Sequence, residues 1–109
     1  MNDKFYTLLS FAVKAGKVKF GHDGVKHSIV SGKSRAVIFC SNASPRLREE
    51  LTNLAGKIPI YELGLSSQES HMRFGQGAVV LSVNDRGFAD SLYKTVVPTE
   101  NKEETICPQ

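Results

Sequence analysis

The chain has 109 residues, 40% of them hydrophobic and 23% charged, with a formal net charge of +3. That length and balance suit one globular domain with its own core and exclude a disordered or disulfide-stapled chain. No run approaches the roughly 20 apolar residues of a membrane-spanning helix. The first ten residues carry Asp3 and Lys4 in a broken apolar pattern, unlike a signal peptide, so a cytoplasmic location is expected.

Helix and strand signals alternate along the chain. Phe5, Leu8, Leu9, Ala12 and Val13 recur at helical spacing and predict a first helix that Gly16 stops. Val18, Lys19 and Phe20 form a short strand candidate. Gly21 turns the chain into a second helix over 22–31, which buries Val25 and Ile29 and ends at Gly32. The apolar run AVIFC at 36–40 predicts a central strand covered on both faces. Ser44 suits the cap of a third helix and Pro45 its first position, with Leu47, Leu51 and Leu54 as the buried face and Gly56 as the stop. Residues 58–62 read as an edge strand, because Pro59 cannot donate to a ladder. Ser66 and Glu69 have the spacing of a capping box for a short fourth helix ending near Gly75. The run AVVLSV at 78–83 predicts a second buried strand. Asn84 or Asp85 then caps a last helix with the stripe Phe88, Leu92, Tyr93 and Val96, which Pro98 ends. Residues 1–97 therefore form one α/β domain of order αβαβαβαβα, with helices on both faces of one sheet, followed by a disordered polar tail at 98–109.

Residues 1–57 hold ten Lys/Arg against four Asp/Glu, whereas residues 58–109 hold four against seven. A basic half points to a polyanion such as nucleic acid, or to nothing more than a solubilising surface. Between Lys14 and Arg35 lie six cations, with Asp23 the single acidic residue. In their midst Gly21 opens a helix whose first-turn N–H groups are free donors for phosphate. The bland alternative is a solvated basic helix with an ordinary glycine start.

Signals for chemistry are weak. His22 and His27 are five apart, off a common helix face, where metal pairs usually sit at i, i+4. Cys40 at a strand's end could be a nucleophile, but an apolar-flanked cysteine is usually a small core residue. No nucleophile elbow, P-loop or dinucleotide fingerprint is present. Cys40 and Cys107 stand in such different settings that they read as unpaired thiols. No catalytic residue, metal or cofactor is expected.

The segment GKVKFGHDGVKHSIVSGKSRAVIFCSNASP, residues 16–45, resembles the core of the L-seven-Ae ribosomal-protein superfamily of kink-turn RNA binders. ESHMRFGQGAVVLSVNDRGFADSL, residues 69–92, resembles the second half of its small bacterial YlxQ-type branch, as does Ala15-Gly16-Lys17 after the opening helix. The resemblance covers about residues 4–96. It implies a three-layer α/β/α sandwich around a four-stranded mixed sheet, with no catalysis. It also implies a structured-RNA partner, ribosomal or otherwise, docked on three segments. The first is the start of the second helix with Lys19, Gly21, His22, Asp23, Gly24, Lys26 and His27, to which Lys33 adds a phosphate contact. The second is the turn after the central strand, with Ser44 and Arg48. The third is the loop before the fourth helix, with Ser70, His71, Met72 and Arg73.

The resemblance also carries departures. Active kink-turn binders have Asn-Glu at the helix start and Lys three residues after the Glu, where this chain has Asp23, Gly24 and His27. Ser70-His71 replaces Leu-Gly, and Ser44 replaces an acidic residue before the turn proline. A degenerate kink-turn motif on a basic, monomeric module is the expectation. A protein-interaction module of the same fold, without RNA affinity, is the alternative of another class, and an enzyme built on Cys40 a third.

Overall fold

A computed structural model describes residues 3–75 and 77–96; the expectations for Pro98, Cys107 and the 98–109 tail lie outside the described residues. Within them the order is α1 (Asp3–Lys14), β1 (Val18–Phe20), α2 (His22–Val30), β2 (Ala36–Phe39), α3 (Pro45–Ala55), β3 (Ile60–Glu62), α4 (Ser67–Phe74), β4 (Val80–Val83) and α5 (Arg86–Val96). No helix among them is long and apolar enough to cross a membrane.

The helix boundaries follow from local chemistry. The Ser44 hydroxyl accepts from the Leu47 N–H at 3.1 Å, satisfying one of the donors a helix start leaves open, and Pro45 stands where no N–H is needed. At α4 the capping box is complete, with Glu69 N–H on the Ser66 hydroxyl and Ser66 N–H on the Glu69 carboxylate. Asp85, not Asn84, starts α5, since its carboxylate accepts from the Phe88 N–H at 2.9 Å.

The sheet runs β1-β4-β2-β3, antiparallel at β1/β4 and β4/β2 and parallel at β2/β3. The two interior strands, β2 and β4, are buried along their whole length, as their unbroken apolar runs require. Along β2, Ala36 and Ile38 face one way, where they meet Phe5 and Leu9 of α1, Phe74 of α4, and Ala89 and Leu92 of α5. Val37 and Phe39 face the other way, onto Val25 and Ile29 of α2 and Leu51 and Ala55 of α3. These are the two outer layers of an α/β/α sandwich. Each large side chain so removed from water contributes about 1.5–3 kcal/mol.

Three expectations need correction. Leu54 is 40% exposed, and Ala55 completes the buried line Leu47, Leu51, Ala55 at four-residue steps. Tyr93 is likewise half exposed, and Ala89 packs with Leu92 instead. Both apolar strand runs are longer than their ladders. β4 pairs only from Val80, and β3 from Ile60, with Pro59 just outside it accepting from the Val37 N–H through its carbonyl at 2.9 Å.

Strand direction gives the molecule two functional ends. β1, β2 and β3 finish, and β4 begins, at one end of the sheet (Phe20 opposite Leu81, Phe39 opposite Val80 and Glu62). We call this the finishing end, and the other, where those three strands begin, the starting end.

Candidate nucleic-acid interface

The finishing end collects the three segments singled out in the sequence. Gly21 leads into α2 at φ 94°, a backbone that glycine adopts readily. Its N–H donates to the Val80 carbonyl at 3.0 Å, its carbonyl accepts from the Val25 N–H at 3.0 Å, and no side chain caps the helix. The α2 start is therefore pinned to the sheet with its outward donors open. Lys19, His22, Asp23, Lys26 and His27 are exposed around it, and Gly24 is half-buried. A Cβ built on Gly24 would stand 3.7 Å from the Lys19 Cβ, an ordinary contact, so the position accepts a side chain.

The turn after β2 is held by side chains. Asn42 bridges to the α4 start: its carbonyl oxygen accepts from the Ser67 N–H and its amide donates to the Ser67 hydroxyl, both at 3.0 Å. The Ser41 N–H reaches the Leu65 carbonyl at 2.7 Å. Arg48 clamps the same turn from α3, donating to the Ala43 and Cys40 carbonyls at 3.1 and 2.9 Å and pairing with Glu62. Its guanidinium also lies 5.3 Å from the centre of the Phe39 ring. Ser44 is exposed but occupied as the α3 cap.

Part of the charge at this end is matched. Glu50 of α3 meets His22 Nε2 at 3.2 Å and Lys26 Nζ at 3.3 Å. Hydrogen bonds from His22 and then Lys26 hold the Glu50 carboxyl below its ordinary value. The hollow between α2 and α3, about 480 Å³, is lined by His22, Ser44, Arg46, Leu47 and Glu50.

Several expected contact residues stand elsewhere. Ser70, His71, Met72 and Arg73 lie inside α4 and not in a loop before it, because the Ser66–Glu69 capping box starts the helix earlier. Ser70 is fully buried and cannot touch a docked ligand. His71 and Met72 are exposed and line a groove of about 610 Å³ with Ser67, Gln68 and Gly77. Gly77 admits no side chain: a Cβ would come within 2.7 Å of the Ser67 carbonyl oxygen and 2.8 Å of the His71 Cβ. Arg73 turns to α1, its guanidinium 4.4 Å from the Tyr6 ring centre. Arg48 is a clamp and not a free cation. Lys33 sits beyond the far end of α2, at the starting end, because nine helical residues at 1.5 Å rise carry the chain about 13 Å from Gly21.

Sequence reading missed Asn42, Arg46, Glu50 and Glu62. Asn42 had a weak local signal, an Asn in the turn before a Ser-Pro helix start. The Glu50 and Glu62 pairings join different elements and had none.

Cys40 is fully buried, and its thiol donates to the Ala78 carbonyl at 3.1 Å. Burial pushes the thiol up, with the Ser70 hydroxyl and the Arg48 charge pulling the other way, so it stays protonated and inert at neutral pH. Among the described residues no group of three or more His, Cys, Asp or Glu could hold a metal ion.

Comparison with known proteins agrees with this architecture. A solved structure of a protein with unknown function from Bacillus halodurans is similar, with 27% identity and a TM-score of 0.78 over 85% of this chain and 96% of that one. A Giardia lamblia 15.5 kD RNA-binding protein shares the fold at 14% identity, with a TM-score of 0.68 over 86% of each chain. No curated protein matches the sequence. The sequence profile of the ribosomal protein L7Ae/L30e/S12e/Gadd45 family matches residues 3–84, and the chain belongs to that family.

Proposed function

We propose that this chain is a non-catalytic, ribosomal-protein-like module that binds structured RNA through the finishing end of its sheet. The observation that carries the reading is the convergence there of the uncapped α2 start, the clamped turn after β2 and the exposed face of α4. An open helix start supplies N–H donors and a favourable dipole for phosphate, and the exposed Lys19 and Arg46 supply charge nearby. Membership of the family, and the RNA-binding description of the Giardia protein of the same fold, support the same partner. Among the described residues the exposed large apolar side chains Phe11, Val30, Leu54, Met72 and Tyr93 fall one to each helix.

Selective kink-turn readout is weakened in this chain. Gly24 has no carboxylate to accept from a guanine edge, Asp23 adds a negative charge beside phosphate, and Glu50 already holds Lys26. One good base contact is worth about 1–3 kcal/mol, so a kink-turn and a version lacking its sheared guanines should bind almost alike. The variant Asp23→Asn, Gly24→Glu, His27→Lys should gain affinity and restore the preference, since Gly24 has room for a side chain. Titration of both proteins against both RNAs is the test. Tight discrimination by the unaltered chain, or no gain in the variant, would overturn the assignment of these positions.

A further inference from the structure

The first three helices end alike and at the same place. α1, α2 and α3 are each stopped at a glycine of positive φ, Gly16 at 73°, Gly32 at 78° and Gly56 at 62°, and each glycine is followed by a lysine. Lys17, Lys33 and Lys57 thus stand at the entries to β1, β2 and β3, along the starting end of the sheet. Arg35 immediately precedes β2, and Arg86 follows β4, whose last residues lie at this end. The row spans four neighbouring strands, about 14 Å at the usual strand spacing.

These cations stand without the acidic partners that hold Lys26 and Arg48 at the finishing end. All five are exposed, and among the described residues none is in an ion pair. The acidic residue in the same turns, Asp85, is engaged as the α5 cap. The backbone carrying them is fixed: Asn84 N–H donates to the Lys17 carbonyl at 2.8 Å, Arg35 N–H to the Val83 carbonyl at 2.8 Å, and Lys33 N–H to the Ser28 carbonyl at 2.9 Å. Beneath them the buried Ser34, Ser82 and Ser28 and the half-buried Asn84 form one hydrogen-bonded chain.

A structural role explains part of this row. A lysine just past a helix C-terminus is favoured by the helix dipole, which covers Lys17, Lys33 and Lys57. It does not cover Arg35, which precedes a strand, and it opposes Arg86, a cation at the first residue of α5. Five unpaired cations on a rigid edge, with no aromatic among them to stack a base, match a line of phosphates better than exposed bases.

We propose that the starting end is a second RNA surface, which holds the phosphate backbone of a duplex without regard to sequence, on the face opposite the three-segment site. The proposal rests on the RNA-binding reading above. Its test is the salt dependence of binding to a plain RNA duplex by the full chain, by Lys17→Ala/Lys33→Ala/Lys57→Ala, and by Lys19→Ala/Lys26→Ala/Arg46→Ala at the other end. Thermal melting checks that each is folded, and Arg35→Gln/Arg86→Gln provides an independent pair that leaves the Gly-Lys turns intact. Each lost phosphate contact makes the log–log salt slope shallower by about 0.7–0.9. The starting-end triple variant should therefore lose about 2.1–2.7 from the duplex slope and the arginine pair about 1.4–1.8, with the finishing-end variant losing less than the starting-end triple. Loss of duplex binding only in the finishing-end variant would overturn the proposal and leave RNA binding standing. Absence of binding to every RNA would remove both readings, and retention on anionic lipid vesicles without duplex binding would reassign the row to a membrane surface.

Discussion

The two ends of the sheet are built from the same few segments and differ in how far their cations are paired. At the finishing end, Glu50 sits between His22 and Lys26, and Glu62 holds Arg48. At the starting end five cations project from fixed turns, and among the described residues none is in an ion pair. Charge counted along the chain conceals this. β1 and α2 each carry the chain from one end to the other, so the basic stretch from Lys14 to Arg35 is divided between two faces. Lys19 and Lys26 go to one, and Lys17, Lys33 and Arg35 to the other. Local charge density in sequence becomes a surface only after topology has sorted it.

The largest effect should come from removing the clamp at the finishing end. Arg48→Ala deletes two hydrogen bonds from a cation to turn carbonyls, the Glu62 pair and the contact with the Phe39 ring. Hydrogen bonds to charged groups contribute about 1.5–3 kcal/mol, so a loss of about 2–3 kcal/mol is expected in denaturant titration. If stability is unchanged while RNA affinity falls, Arg48 is a ligand contact and the finishing end has more free charge than argued.

A smaller loss should follow at the starting end from Ser82→Ala. The Ser82 hydroxyl has one proton, and Asn84 offers it only an acceptor oxygen, so Ser82 must donate to Asn84 and accept from Ser34. Removing it strands the buried Ser34 hydroxyl and the Asn84 carbonyl oxygen, at about 1–2 kcal/mol. Faster amide exchange around Lys33 and Arg35 should accompany it, because this chain fixes their turn. Unchanged exchange there would show that the backbone bonds alone hold the row.

Much of this architecture was legible locally. The order of nine elements follows from caps, glycine stops and apolar periodicity, since each of those signals acts within one turn of chain. Leu54 and Tyr93 misled because apolar pattern ranks large residues first, whereas the buried lines run through the small residues Ala55 and Ala89. An apolar run also cannot tell where pairing begins, which is why 58–62 and 78–83 exceed their ladders. At the site, the open start of α2 was readable from Gly21 alone. The burial of Ser70 was not, because the same serine would be exposed had α4 begun later. Nor was the sharing of Glu50 between His22 and Lys26, which depends on how α3 lies against α2.

Glu50 gives the smallest and sharpest test of the contrast between the ends. Glu50→Gln keeps the side chain's shape and removes the charge that holds Lys26. Melting temperature at neutral pH should barely change, because an exposed pair is screened by solvent. The residual effect has a definite sign. The native Glu50 carboxyl lies below its ordinary value of 4.5, so the pair's contribution is present at neutral pH and fades as pH falls through the depressed native value. Any melting difference between the two proteins should accordingly narrow in acid. Binding should respond more than stability. With Lys26 released to phosphate, the salt slope for structured RNA should steepen by about 1, and Lys26→Ala in the same background should cancel that gain. If Glu50→Gln binds RNA with the parent's affinity and slope, Lys26 does not reach phosphate, and the α2 start acts through its backbone donors alone.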